Sequence, residues 1–434
     1  MNIGKRFKCN ICGEIIDCRI GMSNRDVQPF QFACPNCEER ITFVLGSSAG
    51  SLEGAEEIIN FDGPFKGEYP FVDLHLDFPV DFGTYKLGET TFFKVLERIG
   101  HEALGDLSLR LNILNTLYKK ENDLRRLITQ YIRDDIQGFE RACNAIDIPN
   151  VKLKTHKKED VLAALYSATS IMSSPFTIHE HNKELSTEFP SLLQYLDETE
   201  YDKTRDFISE LINKSFLKNL HHDCLKLYPK MISLDLPLRP ALYYDYIESY
   251  DIGLTPARVS SADFDTCNNL YKDLAEVFSR QLTLVAGINN LIKRGDHNMF
   301  SDEVRLNKKK EVIRGYSSLD RFADVDFGNK LAALDDSFYR VNVEAVDSRL
   351  RNGIAHYKYE YTESTQLIKI YPKKEGLERK DFDEIYFLEF MRKILMLFRE
   401  GANKRGNSSR LTQSFHFFMF EPISSPVNAL NQPI

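Results

Sequence analysis

Tryptophan is absent from the 434 residues, and no run of apolar residues approaches the length needed to span a bilayer. The first absence limits little, because 30 Phe and 20 Tyr supply aromatic bulk. The second argues against a membrane-spanning helix, so no membrane partner is expected. The start, Met1 to Lys8, is basic but lacks the apolar stretch of a secretory signal, and the cytoplasm is the expected compartment. An excess of positive charge is missing too. The formal net charge is -8, so any surface for a polyanion must be a local patch. What is present, 42% hydrophobic and 28% charged residues, is the composition of an ordinary folded chain. The length allows roughly two to four domains.

Four of the eight cysteines form two C-x-x-C pairs, Cys9-Asn-Ile-Cys12 and Cys34-Pro-Asn-Cys37, with 21 residues between them. That gap lies just beyond the usual ribbon spacing. Thiolates two residues apart can turn both sulfurs to one metal, and two such pairs close a tetrahedral shell. Four ligands leave no open position, so the expected cofactor is a structural Zn2+ in a small β zinc ribbon. So small a unit buries little apolar surface, and metal binding would supply folding free energy. Cys18 lacks a partner at ligand spacing, and Cys143, Cys224 and Cys267 read as buried thiols. Lys5, Arg6, Lys8, Arg19, Arg25 and Arg40 surround the pairs. Reading nucleic acid and serving as a folding or docking module are equally open roles.

The fold class expected is mainly α, in five consecutive segments. Residues 1–50 are the zinc ribbon, with β-like runs at 14–19, 28–32 and 39–45. Residues 51–88 are a β-rich connector, in which the alternation of Phe71 to Phe82 reads as a half-buried strand that Pro79 pushes to an edge. Residues 89–250 are a central helical domain, with helical patterning over 90–147, 158–172, 188–197 and 202–228. Loops are expected at Pro149, Pro175, Pro229, Pro237 and Pro240. Residues 262–400 carry a long helix to Lys293, capped by Ser261 or Asp263, then a basic loop. A second amphipathic helix is expected from about Asn329 to Ala355, a β-hairpin over Tyr357 to Tyr371, and a third helix over Asp381 to Glu400. Residues 401–434 form a loop-like tail.

The stretch from Val341 to His356 carries the most information. On a helix, Val343, Val346, Leu350 and Ile354 form one stripe, and Glu344, Ser348, Asn352 and His356 the opposite one. Asp347 and Arg351, four apart, flank the polar stripe and can pair. An imidazole, an amide, a guanidinium and two carboxylates thus share a face. A solvated helix surface looks similar. Yet among the ten histidines His356 alone has an Arg five residues before it. His179/His181 and His221/His222 lack carboxylate or cysteine partners at ligand spacing and read as surface residues.

Residues 262–400, with Arg351-Asn352-x-x-x-His356, resemble a HEPN domain (higher eukaryotes and prokaryotes nucleotide-binding). That family is a helical bundle bearing Arg-x(4–6)-His, often with a polar residue after the Arg. Membership implies a C-terminal HEPN-like bundle, here with a β-hairpin. It also implies metal-independent endoribonuclease activity, of the kind found in toxin, abortive-infection and anti-phage systems. It implies RNA as partner, a homodimer that brings two motifs together, and a possible regulatory or antitoxin protein. In one subfamily a Tyr stands two residues after the His; here that position is Lys358, between Tyr357 and Tyr359.

An imidazole titrates near neutrality and serves as base or acid. The expected roles follow. His356 takes the proton of an RNA 2′-hydroxyl, Arg351 neutralises the phosphorane, and Asn352 orients the phosphate or the imidazole. Asp347 or Glu344 supports Arg351. Arg305, Lys308, Lys309, Lys310 and Arg314 would guide the RNA backbone, or form a solvated loop. The other readings kept open are a non-catalytic RNA- or nucleotide-binding module and a zinc-ribbon interaction protein.

Overall fold

Strand pairing begins at the first residues. β1 (Asn2–Cys9) and β2 (Ile15–Gly21) form an antiparallel hairpin, with β6 (Ala55–Glu57) on the far side of β1. β7 (Phe71–His75) runs parallel to β2 and closes the order β6-β1-β2-β7. A second sheet is β3 (Gln28–Ala33), β4 (Arg40–Leu45) and β5 (Leu52–Glu53), and a short antiparallel pair is β8 (Val80–Asp81) with β9 (Ala257–Arg258). Alternation drives both sheets, as in β4, where Ile41 and Phe43 point inward between Arg40 and Thr42. Phe7 packs against Phe32 and Phe43 with ring centroids 6.2 and 5.2 Å away. Ile16, Cys18, Ile20, Val72, Leu74 and Leu76 complete this core.

The structure is a computed structural model describing residues 2–46, 50–59, 64–149, 151–178, 196, 198–247, 257–261, 264–335, 337, 340–342, 344–372 and 379–401. Most of the helix expected at 188–197, the cap at Asp263, residues 47–49, His179, His181, Val343 and the tail from 402 lie outside the described residues. The chain groups into two compact units. One comprises Met1–His179, Cys224–Glu276 and Asn342–Arg399; the other comprises Glu180–Asp223, Val277–Val341 and Glu400–Ile434. The units are therefore built from non-consecutive segments, and residues 262–400 are divided between them. Residues 1–50 and β7 share one core, so the cysteine-bearing segment is not a free-standing ribbon.

Helices dominate the rest. In the first unit they include Thr91–Leu117, broken by a non-helical Gly100, Glu121–Ile132, Ile136–Ala145 and Lys158–Thr177. Side-chain caps explain the starts of two of them: Thr90 Oγ1 accepts from the N–H of Phe93, and Asp135 Oδ1 from that of Gly138. Four prolines expected in loops lie inside helices: Pro175 in Lys158–Thr177, Pro229 in Phe216–Ser233, and Pro237 and Pro240 in Asp235–Leu242. Pro237 falls in a first turn, where its missing N–H has no intrahelical partner to lose. Pro175 sits in the last turn of Lys158–Thr177, whose carbonyl ends receive two guanidiniums. Arg110 Nε donates to Pro175 O at 2.5 Å and Arg399 Nε to Phe176 O at 2.7 Å. Asp245 lies between these arginines, 2.8 Å from Arg110 and 2.6 Å from Arg399.

The second unit has its own core, with Phe207, Leu211, Ile288, Leu291, Phe300 and Phe322 at its centre. It includes the helix Tyr201–Asn213, the later turns of the long helix Phe264–Arg294, and short helical pieces at Asp302–Arg305, Leu319–Phe322 and Phe327–Ala332.

Two C-terminal expectations are corrected. The helix over 329–355 is not continuous: it stops at Ala332 and a separate helix, Ser348–Ala355, begins sixteen residues later. Polar side chains between them compete with helical bonding. Asn342 Oδ1 accepts from the N–H of Glu344 at 2.9 Å, and Asp347 Oδ1 from those of Arg349 and Leu350 at 3.0 Å each. The hairpin is present as β10 (Tyr359–Thr362) and β11 (Leu367–Ile370), but a third strand joins it. β12 (Asp383–Tyr386) occupies the start of the expected third helix, which begins only at 387. Ile385 stands opposite Ile368 across β11, so pairing overrides local helical pattern. No helix among the described residues is long and apolar enough to cross a membrane.

Buried charge ties the first unit together. Arg239 is fully enclosed and donates to Asp77 Oδ1 at 2.7 Å, Asn24 Oδ1 at 3.1 Å, Asp235 Oδ2 at 3.1 Å, and Asn115. Arg25 reaches both oxygens of Asp235 at 2.5 and 2.6 Å. Burial pushes the Asp235 carboxyl above the usual carboxylate range, even beside two guanidiniums. Removing one guanidinium strands a buried carboxylate. Arg239→Ala is expected to cost about 3–5 kcal/mol, read from urea unfolding of the full chain. A loss below about 1 kcal/mol, the level of an exposed pair, would show that the network contributes little.

Candidate metal centre and the Arg-Asn-x-x-x-His segment

Each cysteine pair occupies the turn of a hairpin, and the two turns repeat one hydrogen-bonding scheme. Cys9 N–H donates to Glu14 O at 2.9 Å and Gly13 N–H returns to Cys9 O at 3.0 Å. Cys34 N–H donates to Glu39 O at 2.8 Å and Glu38 N–H returns to Cys34 O at 3.0 Å. Both turns need a left-handed residue four positions after the first cysteine. Gly13 supplies it at φ 75°, and Glu38 adopts it at φ 62°. The sulfurs converge: Cys9 Sγ and Cys37 Sγ are 3.6 Å apart, Cys12 Sγ and Cys34 Sγ 3.7 Å, and all four lie within 4.8 Å of one another. A tetrahedral shell with metal–sulfur bonds of about 2.3 Å sets sulfurs about 3.8 Å apart, so the four side chains can hold one metal ion.

The thiols differ in setting. Backbone N–H of Glu14 and the side chain of Asn36 hold Cys12 down to about 6, whereas burial pushes Cys34 up to about 12. Cys18 lies in the core of β2, outside the cluster, and burial drives its thiol far above the ordinary range. Cys143, Cys224 and Cys267 are buried, as their sequence context suggested. Among the described residues the cysteine cluster is the group of His, Cys, Asp and Glu side chains able to hold a metal.

Most of the nearby basic residues already face carboxylates. Lys5 pairs with Glu57 at 2.7 Å, Arg6 with Asp17 at 2.6 Å, Arg19 with Asp73 at 2.6 Å and Arg25 with Asp235 at 2.5 Å. Arg40 pairs with Glu363 at 3.1 Å, and Ser364 Oγ donates to Glu38 Oε1 at 2.5 Å. The second cysteine turn thus meets the β10–β11 turn through two polar contacts.

The helix Ser348–Ala355 carries Arg351 and Asn352, and His356 is its C-terminal cap. Asp347 starts the helix, and Gly353 lets it lie on β11, because a Cβ there would overlap Ile370 Cγ2. The end is a Schellman turn: Lys358 N–H donates to Gly353 O at 2.7 Å and Tyr357 N–H to Ile354 O at 3.3 Å. Arg351 and Asn352 are half-buried, His356 is exposed, and among the described residues the His356 ring makes no hydrogen bond or ion pair. Arg351 Nη1 donates to Asn352 Oδ1 at 3.3 Å, and its Nη2 lies 3.6 Å from Glu276 Oε2.

The supporting carboxylates are placed differently from expectation. Asp347 is committed to the cap, and Glu344 stands outside the helix, 3.7 Å from Arg392. Glu276, on the long helix, approaches Arg351 instead. The basic run belongs to the second unit, whereas Arg351 belongs to the first. It forms a tight turn, with Leu306 bridged to Val312 and Asn307 Oδ1 accepting from the N–H groups of Lys309 and Glu311. Lys308, Lys309, Lys310 and Arg314 are exposed, and Arg305 pairs with Asp302 at 2.7 Å.

Two neighbours escaped sequence reasoning. Tyr357 takes the left-handed position at φ 56°, where glycine is favoured, yet 72% of it is exposed. Lys272 Nζ lies 4.6 Å from its ring centroid. A left-handed non-glycine residue costs about 1–2 kcal/mol, and an exposed cation–π contact returns about 0.5–1 kcal/mol. The position therefore carries net strain. A tyrosine directly after the motif was visible in the sequence, but its backbone conformation was not.

Thiolate ligation requires proton loss, so metal uptake and acidity are linked. Zinc titrated into metal-stripped full-length protein at pH 7 is expected to release protons. Its calorimetric enthalpy should then vary with the buffer's ionisation enthalpy, and acidification should weaken binding. An enthalpy independent of buffer would contradict binding by protonated thiols such as Cys34.

No protein-family model, no curated protein and no solved structure matches the chain.

Proposed function

We propose that this chain is a metal-independent endoribonuclease of HEPN type whose four-cysteine cluster holds a structural zinc. The observation that carries the reading is His356. Its ring is exposed and, among the described residues, makes no hydrogen bond, at the end of a short helix that also bears Arg351 and Asn352. An ionisable group held open to solvent beside a guanidinium is suited to phosphodiester chemistry.

In this reading His356 accepts the 2′-hydroxyl proton as that oxygen attacks the adjacent phosphorus. The bond to the 5′-oxygen breaks, and a proton from a second His356, on the partner copy of a homodimer, completes the leaving alcohol. The products are a 2′,3′-cyclic phosphate and a 5′-hydroxyl. Arg351 balances the charge that grows on the phosphorane. Asn352, bonded to the same guanidinium, keeps its fork aligned. Glu276 orients Arg351 before RNA arrives. DNA lacks the attacking hydroxyl and is spared. The exposed lysines at 308–310, which belong to the other unit, are a separate candidate surface for an RNA backbone. A cytoplasmic toxin or anti-phage effector, restrained by its other regions or by an antitoxin protein, rests on the family resemblance.

The test is incubation of purified protein with total RNA in EDTA, beside Arg351→Ala and His356→Ala. Zinc content is measured in the same samples, so that loss of the ribbon's metal is not mistaken for loss of chemistry. Cleavage that persists in EDTA, leaves cyclic-phosphate ends and falls by about 10²-fold or more in either variant is expected. Binding without cleavage would replace the nuclease by a phosphate-gripping module. Neither binding nor cleavage would leave a metal-bearing interaction protein.

A further inference from the structure

Tyr357 combines three properties that packing does not reconcile. It occupies the left-handed residue of a Schellman turn, it is 72% exposed, and it directly follows His356. Glycine would satisfy the same backbone without strain. The ring's contact with Lys272 offsets only part of that strain, and so little of the ring is buried that hydrophobic stabilisation is small. Strain retained at an exposed position points to a use for the side chain outside the folded monomer.

The surroundings indicate which use. The long helix presents Lys272 to Tyr357 and, one turn on, Glu276 to Arg351. The same helix face therefore addresses both ends of the segment from Arg351 to Tyr357. An exposed aromatic ring beside an ammonium matches single-stranded nucleic acid, whose bases stack on aromatic faces and whose phosphates need cations. We propose that Tyr357 is the stacking platform for a base of single-stranded RNA next to the phosphate handled by Arg351 and His356, and that Lys272 binds an adjoining phosphate. The inference rests on the nuclease reading for the position of the phosphate. It adds the substrate's form: unpaired RNA, because a base held in a duplex is not free to stack on a side chain.

The experiment separates the two ideas. A fluorescent single-stranded oligoribonucleotide with 2′-O-methyl groups cannot be cleaved by 2′-hydroxyl attack. Its binding is read by anisotropy in the otherwise unaltered chain and in Tyr357→Phe, Tyr357→Gly and Lys272→Ala. Tyr357→Phe is expected to bind as the parent does. Tyr357→Gly is expected to raise the thermal midpoint, because strain is relieved, yet weaken binding by about 5- to 150-fold, the range for loss of one base–aromatic stack. Lys272→Ala should weaken binding and reduce the slope of log affinity against log salt by about 0.7, the share of one phosphate contact. Undiminished binding by Tyr357→Gly overturns the platform. If native RNA is still cut in a His356-dependent manner, the nuclease reading survives that result. Binding that falls as expected without any cleavage of native RNA supports the platform and removes the nuclease. No binding by the parent chain overturns the platform as well.

Discussion

One enclosed guanidinium organises the first unit. Arg239 draws Asn24 from the loop after β2, Asp77 from the turn after β7, Asn115 from the helix Thr91–Leu117, and Asp235 from its own helix to a single point. A buried cation of this kind is tolerable only when its donors are matched, so these segments must arrive together. Arg25 completes the balance, with two guanidiniums facing two carboxylates. Such a cluster contributes less by net energy than by allowing few alternative arrangements. The second buried group, Asp245 between Arg110 and Arg399, repeats the principle at the end of Lys158–Thr177. There, partial negative charge on the terminal carbonyls takes the place of a second carboxylate.

The four-cysteine cluster was legible because ligand chemistry fixes residue type and spacing together. Cys9, Cys12, Cys34 and Cys37 announce themselves without reference to packing, and their sulfurs converge as the spacing implied. The core strands were legible for a similar reason, since alternation in Arg40–Leu45 has one physical solution. Arg239 was not legible, because an arginine that will be buried has no mark in the sequence before its partners are brought near. The break between Ala332 and Ser348 was hidden differently. Apolar periodicity continued across it, while Asn342 and Asp347 used their side chains to bond the backbone. β12 was hidden by its proximity to a true helical pattern, and only its partner β11 decides its state.

In the candidate nuclease segment, the part read from sequence was residue identity, and the part supplied by three dimensions was support. Arg351, Asn352 and His356 keep the order that suggested them, but the helix that bears them is only Ser348–Ala355. A short helix is weak alone. It is secured by the Asp347 cap, by Gly353 settling on Ile370, and by the Schellman turn that follows. The carboxylate near Arg351 comes from Glu276, a residue that no local reading of 341–356 could have suggested.

The parallel pairing of β2 with β7 bears on where this polypeptide can be cut. Among the described residues β7 has β2 as its sheet neighbour, and Val72 and Leu74 are covered in part by that arrangement. A shorter translation product beginning after residue 50 would bare an apolar strand edge, and such edges recruit other chains. It would also lose Arg25, leaving Asp235 with half its compensation. The cysteine-bearing segment is thus a structural wall of the protein rather than an appendage, and engineered deletions or fusions at that junction should keep it.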